Sequence, residues 1–385
     1  MAHDPELTQA LAHALNPALS RSLVASRAPG AQAAVLRGGE VVWTGSAGVR
    51  DLATDSPVDE TTVFCLASLG KTIVAALTLR CVEEGRLDLD APLSAVVADD
   101  VPGSSTVTTR MLLTHTSGYP DLYQSPELLA VMPPEQSVAG SGTAYDPDRP
   151  YTWDALVAGI RPPVEPGARW DYSNTGYVVL TEVLGRLLGG DHGVSAAWFA
   201  MAGAAGAALP LTQDLLTMER STVSPDRLAH GHEDVDGAMV DAYAAHRPTG
   251  VPSDLFGLPF GDGLFGGTAL GYALFLDALL VRRTLLEPAT LALMTAVSPQ
   301  AAVADVAQPD LRSYGMGTYR HSTGGRLWQG HSGGYGGFSC LAGCDVHDGT
   351  TLVVLTNAWA EPRPASTIWE TLVGRLSLTA GDAGG

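Results

Sequence analysis

Lysine is almost missing from this chain. Of 22 basic side chains, Lys71 is the one lysine and the rest are arginines. Positive charge is short altogether, since 41 Asp and Glu leave a formal net charge of −19. That balance lacks the basic footprint of a nucleic-acid binder and disfavours anionic membrane surfaces. Long apolar runs are missing too. The Ala/Gly-rich stretch near residues 196–208 is too short and too weakly hydrophobic to span a bilayer. The opening Met1-Ala2-His3-Asp4-Pro5-Glu6 has no positive stretch followed by an apolar one, so no secretory leader and a cytoplasmic location are expected. Cysteine is scarce: Cys65, Cys81, Cys340 and Cys344 are then expected as free thiols, with Cys65 buried and inert. No C-x-x-C lies near histidine, and the ten histidines include no H-x-x-x-H. No metal and no cofactor are expected. Small molecules remain as partners, and nothing in the sequence sets an oligomeric state.

What is present centres on the lone lysine, in Ser68-Leu69-Gly70-Lys71. A serine hydroxyl is a weak nucleophile until a base activates it. An amine can be tuned to take that proton, whereas a guanidinium stays protonated. On a helix the i, i+3 spacing places both side chains on one face. Val63, Phe64 and Leu66 precede the serine, Ile73, Ala76, Leu77 and Cys81 follow at helical spacing, and Gly85 offers a stop. Ser68 is expected at the start of a buried helix, where developing negative charge is favoured.

Two further clusters stand out. Tyr172-Ser173-Asn174 opens a helical pattern carrying Tyr177, Leu180, Leu184 and Leu187 that ends at Gly189-Gly190. Alone it reads as a capping turn. His331-Ser332-Gly333-Gly334 follows a short strand and precedes Gly336-Gly337, so it reads alone as a hairpin bend.

The chain opens with a helical stretch over residues 1–28, carrying Leu7, Leu11, Leu15, Leu19 and Leu23 on one face. Strands are expected at Ala33–Leu36 and Val41–Thr44, then at Tyr314–His321, Arg326–Gln329, Gly337–Gly343 and Thr350–Thr356. Helices are expected over 109–114, 152–160, 174–188 and 268–281, the last capped by Thr268, with a final amphipathic helix over about 365–376. A Pro/Gly-rich loop covers Met132–Pro150. The pattern predicts a single catalytic domain over 1–385. A sandwich lobe takes about 1–84 plus 294–385, and a helical lobe of about 85–293 is inserted into it. A cleft between the lobes suits a ligand.

S-x-x-K, then Y-x-N about 100 residues on, then H-x-G near the last strands is a pattern that resembles the serine β-lactamase-like superfamily. That group includes class C β-lactamases, D-alanyl-D-alanine peptidases, D-aminopeptidases and family VIII esterases. Leu112-Leu113-Thr114-His115-Thr116-Ser117-Gly118, Pro166-Gly167, Gly263-Leu264-Phe265 and Gly330-His331-Ser332-Gly333-Gly334 extend the resemblance over roughly residues 30 to 360. It implies an α/β (α+β) fold: a β-lactamase/transpeptidase-like antiparallel sheet flanked by helices, with an inserted all-helical lobe. It also implies a Ser68 acyl-enzyme. Lys71 and Tyr172 would form the proton-transfer pair, either one acting as base. Asn174 would hold Lys71, and the N–H groups of Ser68 and Gly334 would form the oxyanion hole. His331 stands where many relatives carry lysine and is expected to be charged part of the time near neutral pH. That weakens the case for a substrate carboxylate and for an efficient β-lactamase. Trp170, Tyr119, Tyr123 and Trp359 could line an acyl pocket, though core packing is the simpler expectation for each.

The expected function is hydrolysis of a carboxylester or an amide, such as a D-amino-acid peptide or amide. A biosynthetic transacylase, thioesterase or cyclase would use the same intermediate and pass the acyl group to an amine. A catalytically silent binder of the same fold would be expected to have lost these residues, and all of them remain.

Overall fold

The computed structural model describes residues 5–126, 153–203, 211–212, 214–217, 223–242 and 265–381. The Met132–Pro150 loop and Gly263-Leu264 lie outside the described residues, as does the side chain of Tyr123.

A seven-stranded antiparallel sheet is built from both ends of the chain. Its strands are β1 (Gly30–Arg37), β2 (Glu40–Asp51), β3 (Ser56–Pro57), β4 (Tyr319–Thr323), β5 (Arg326–Tyr335), β6 (Phe338–Asp345) and β7 (Thr350–Thr356). They run in the order β3-β2-β1-β7-β6-β5-β4. The N-terminal and C-terminal strands meet at the centre, where Val35 pairs with Leu352 and Ala33 with Val354. Period-two alternation sends β1 side chains to two cores. Ala33 and Val35 face α1 (Pro5–Ser26) and the C-terminal helix Pro364–Gly381, while Ala34 and Leu36 join the larger core on the other side. On α1, Leu11, Leu15, Leu19 and Leu23 are buried, the i, i+4 stripe that an amphipathic helix presents.

The larger core packs α2 (Gly70–Glu83), α3 (Thr109–Leu113), α4 (Asn174–Leu188) and α5 (Ala269–Leu276). This is an α/β fold, a central antiparallel sheet flanked by helices with a helical lobe inserted between its strands. Thr268 caps α5, its hydroxyl accepting from Gly271 N–H at 3.0 Å. Short strands also occur in the inserted stretch, at His232–Val235 and Ala238–Asp241. Among the described residues no helix is long and apolar enough to cross a membrane.

Several strand boundaries differ from expectation: β1 and β2, expected at Ala33–Leu36 and Val41–Thr44, run over Gly30–Arg37 and Glu40–Asp51. The segment expected to be extended from Tyr314 joins the sheet only at Tyr319. Residues 314–318 run instead beneath α2, where Thr72 Oγ1 donates to Gly317 O at 2.7 Å. The strand expected to stop at Gln329 runs on through His331, Ser332, Gly333 and Gly334 to Tyr335. Pairing with β6 along this whole stretch overrides the weak strand preference of its glycines. The bend lies at Gly336-Gly337, whose φ values of 47° and 84° suit a two-residue hairpin turn.

Candidate active site

Ser68 sits on a tight turn, Ala67–Leu69, that runs directly into α2. Ala67 and Leu69 are buried, which anchors the turn and leaves Ser68 partly exposed between them. Lys71, one turn on, has no exposed surface. Its ammonium donates to Ser68 Oγ at 3.1 Å and to Asn174 Oδ1 at 2.8 Å. It also lies 5.3 Å from the Tyr172 ring centre and 5.5 Å from that of Tyr177, within cation–π range. The face-sharing expected of Ser68 and Lys71 is therefore present, and Asn174 at the head of α4 joins them.

Asp121 is a member of the cluster that the sequence reading missed. Its Oδ2 accepts from Asn174 Nδ2 at 2.9 Å and from Asn174 N–H at 3.2 Å. This turns the amide so that its oxygen faces Lys71. An acid three residues beyond Gly118 in the L-L-T-H-T-S-G turn was its only sequence mark.

Tyr172 lies across the ring of His115, with centroids 4.2 Å apart at 32°. Trp170, Tyr314 and His331 close an aromatic box around it at 6.2–6.4 Å. Trp170 and Tyr119 are buried as core residues, and Tyr119 donates to Pro102 O at 2.7 Å. Trp198 is likewise buried, edge-on to Phe265 and Phe275.

On the opposite wall, the two-residue turn makes Tyr335 and Phe338 a hydrogen-bonded pair. Alternation along an antiparallel ladder then makes Gly334 and Ser339 a non-hydrogen-bonded pair, so the Gly334 N–H points away from β6. Beside it, Gly333 packs against Leu66 O on the Ser68 turn. The Trp359 ring covers Gly334 so closely that a Cβ there would lie 1.8 Å from Cζ3. The guanidinium of Arg363 rests on that indole, 4.4 Å from its centre.

His331 departs from expectation. Burial, with Lys71 nearby, pushes its pKa down to about 3, so the ring is neutral near pH 7 rather than partly charged. Both of its nitrogens have protein partners, Tyr314 Oη at 2.9 Å and Ser332 O at 2.5 Å. His115 is held well below its usual range by burial and then by Lys71. All four cysteines are free and buried. Among the described residues, one group has metal-ligand proximity: atoms of Asp51, His230 and Asp241 lie within 4.8 Å of one another. None of the three belongs to the Ser68 cluster. His230 pairs with Asp241 at 3.4 Å, and Asp51 holds its own turn through Ala53 N–H and Thr54 Oγ1.

A buried lysine that bridges a serine and an asparagine beside a tyrosine ring is an arrangement that can activate a serine hydroxyl. The family model described as Beta-lactamase matches residues 15–373, and the chain belongs to that family. Esterase EstB of Burkholderia gladioli is 41% identical over 113 residues, which is 28% of this chain and 29% of that protein. The match thus spans less than a third of the esterase. D-amino acid amidase from Ochrobactrum anthropi SV3, complexed with D-phenylalanine, shares the fold with a TM-score of 0.75 at 21% identity, over 96% of this chain and 99% of that one. A D-stereospecific amidohydrolase from Streptomyces sp. gives 0.67 at 24% identity, over 96% and 98%.

Proposed function

We propose that this protein is a serine acyl-transfer enzyme that cleaves a carboxylester or an amide, D-amino-acid amides and peptides included, through a covalent Ser68 intermediate. One observation carries the reading: the fully buried Lys71 ammonium bridges Ser68 Oγ at 3.1 Å and Asn174 Oδ1 at 2.8 Å. Ser68 Oγ attacks the substrate carbonyl carbon and gives its proton to the Lys71–Tyr172 pair. Developing charge on the carbonyl oxygen is met by the N–H groups of Ser68 and Gly334. The tetrahedral adduct collapses, its C–N or C–O bond breaks, and the leaving group takes the proton. Water, giving up a proton to the same pair, releases the acid and restores Ser68.

The neutral His331 favours substrates without a carboxylate beside β5. The names of the amidase, the amidohydrolase and the esterase support the amide and ester classes. We place the protein in the cytoplasm, a reading supported by its four free cysteines. We divide its single domain into a sandwich lobe, about 1–84 plus 294–385, and a helical lobe, about 85–293.

The test is intact-protein mass after brief exposure to an activated short-chain ester, for wild type and Ser68→Ala. An acyl adduct, or ester turnover, in wild type and neither in the variant is expected. Equal consumption of ester by both would overturn the assignment. Adding a primary amine then separates hydrolysis from acyl transfer, since an amide product in place of the free acid marks the amine as acceptor.

A further inference from the structure

Behind Tyr172 runs a chain of four hydrogen bonds through three buried side chains that the acyl transfer itself leaves unused. Ser173 N–H donates to His115 Nδ1 at 3.2 Å. His115 Nε2 meets Tyr314 Oη at 3.1 Å, and Tyr314 Oη meets His331 Nε2 at 2.9 Å. His331 Nδ1 lies 2.5 Å from Ser332 O. Both ends of the chain have a fixed sense, because a backbone N–H only donates and a carbonyl only accepts. A neutral imidazole has one donor and one acceptor. His115 therefore carries its proton on Nε2 and His331 on Nδ1, while the Tyr314 hydroxyl accepts from the first ring and donates to the second.

The ends of the chain explain its use. Ser173 lies between Tyr172 and Asn174, and Ser332 lies two residues before Gly334. We propose that Tyr314 is a positioning residue that joins these two walls through a pair of neutral histidines of opposite tautomer, and so sets the spacing between the proton-transfer pair and the oxyanion donor. His331 is then a positioning residue as well, with no ring nitrogen left over for substrate. The His115 backbone supports a built feature: its φ of 56° is unusual for a residue with a side chain. It is held there with its carbonyl accepting from Asp171 N–H at 2.9 Å. The titratable neighbours are Lys71 on α2, Tyr177 on α4, Tyr319 and His321 on β4, and Tyr172. A second proton on His331 would make Tyr314 the acceptor of two rings and push its own O–H towards Tyr177, whose hydroxyl already donates to Leu113 O at 3.0 Å.

The functional part of this proposal rests on the acyl-transfer reading, whereas the tautomer pattern does not. The first readout is the imidazole nitrogen spectrum of folded, 15N-histidine-labelled wild type at pH 7, with His115→Gln and His331→Gln used only for assignment. One ring protonated at Nε2 alone (His115) and one at Nδ1 alone (His331) are expected. The same tautomer on both rings, or a charged ring, would overturn the proposal. The second readout is the pH profile of ester turnover in Tyr314→Phe. A roughly 10- to 100-fold loss in kcat rather than KM is expected, with the acid limb moved to higher pH as His331 becomes able to take a proton. A variant that folds with wild-type kcat and an unmoved profile would refute the positioning role. If wild type turns over no ester, the acyl-transfer reading fails and the tautomer spectrum alone decides the relay.

Discussion

Acid should unfold this protein from the histidine range, well before most of its carboxylates titrate. Burial depresses the pKa of His331 to about 3 and that of His321 to about 4, and holds His115 well below its usual value. In the unfolded chain each ring takes up a proton near pH 6.5, while in the folded protein it stays neutral. Below that pH the unfolded state binds more protons, so stability falls as pH falls. The loss begins at about pH 6.5 and continues until the folded rings themselves protonate, near 4 for His321 and 3 for His331. At pH 5, about 1.5 units below the unfolded pKa, His321 and His331 each cost about 2 kcal/mol. Together they cost about 4 kcal/mol, a large part of the roughly 5–15 kcal/mol that holds a typical protein folded, and His115 acts in the same direction. Asp277 and Asp310 have raised pKa values, chiefly through burial, and oppose this trend as pH falls through them.

Urea unfolding at pH 7.5 and pH 5, at an ionic strength high enough to screen the net charge of −19, measures the drop. In His331→Gln the drop should shrink by about 2 kcal/mol. His321→Gln should behave alike, which keeps the test open if the first variant folds poorly. Stability that is flat between the two pH values, or a drop unchanged in both variants, would refute the reasoning.

Lys71→Arg should lower kcat/KM by about 10²–10⁴-fold with the fold retained, because a guanidinium stays protonated and cannot share in the proton transfer of the Lys71–Tyr172 pair; steady-state ester hydrolysis checks it. Gly334→Ala should cost about 100- to 1000-fold in kcat, the loss of one oxyanion donor, since its Cβ would meet the Trp359 ring. If that clash is the cause, adding Trp359→Ala should restore part of the loss, and a double variant no better than the single one would point elsewhere.

The sequence carried the parts of the site that chemistry fixes locally. Ser68 and Lys71 are one helical turn apart, so their meeting needs only a helix. Asn174 begins α4 where a helix-opening residue was expected. The central pairing of β1 with β7 follows from apolar runs at the two ends of the chain. Contacts set by distant parts of the fold left little trace. Tyr314 read as the start of a strand, yet it lies outside the sheet, where it meets His115 and His331. The glycines at 333 and 334 read as a bend, whereas they lie in extended β5 while Leu66 and Trp359 press against it. His331 read as a partly charged ring because histidine in water is one, and only the packing makes it neutral. The lone lysine links the two kinds of feature. Arginine suffices where a charge faces water, but Lys71 ends in a space closed by Ser68, Asn174 and two aromatic rings. A guanidinium would bring five fixed donors to a cluster that offers few acceptors. Position 71 therefore requires lysine for its shape as well as for its proton.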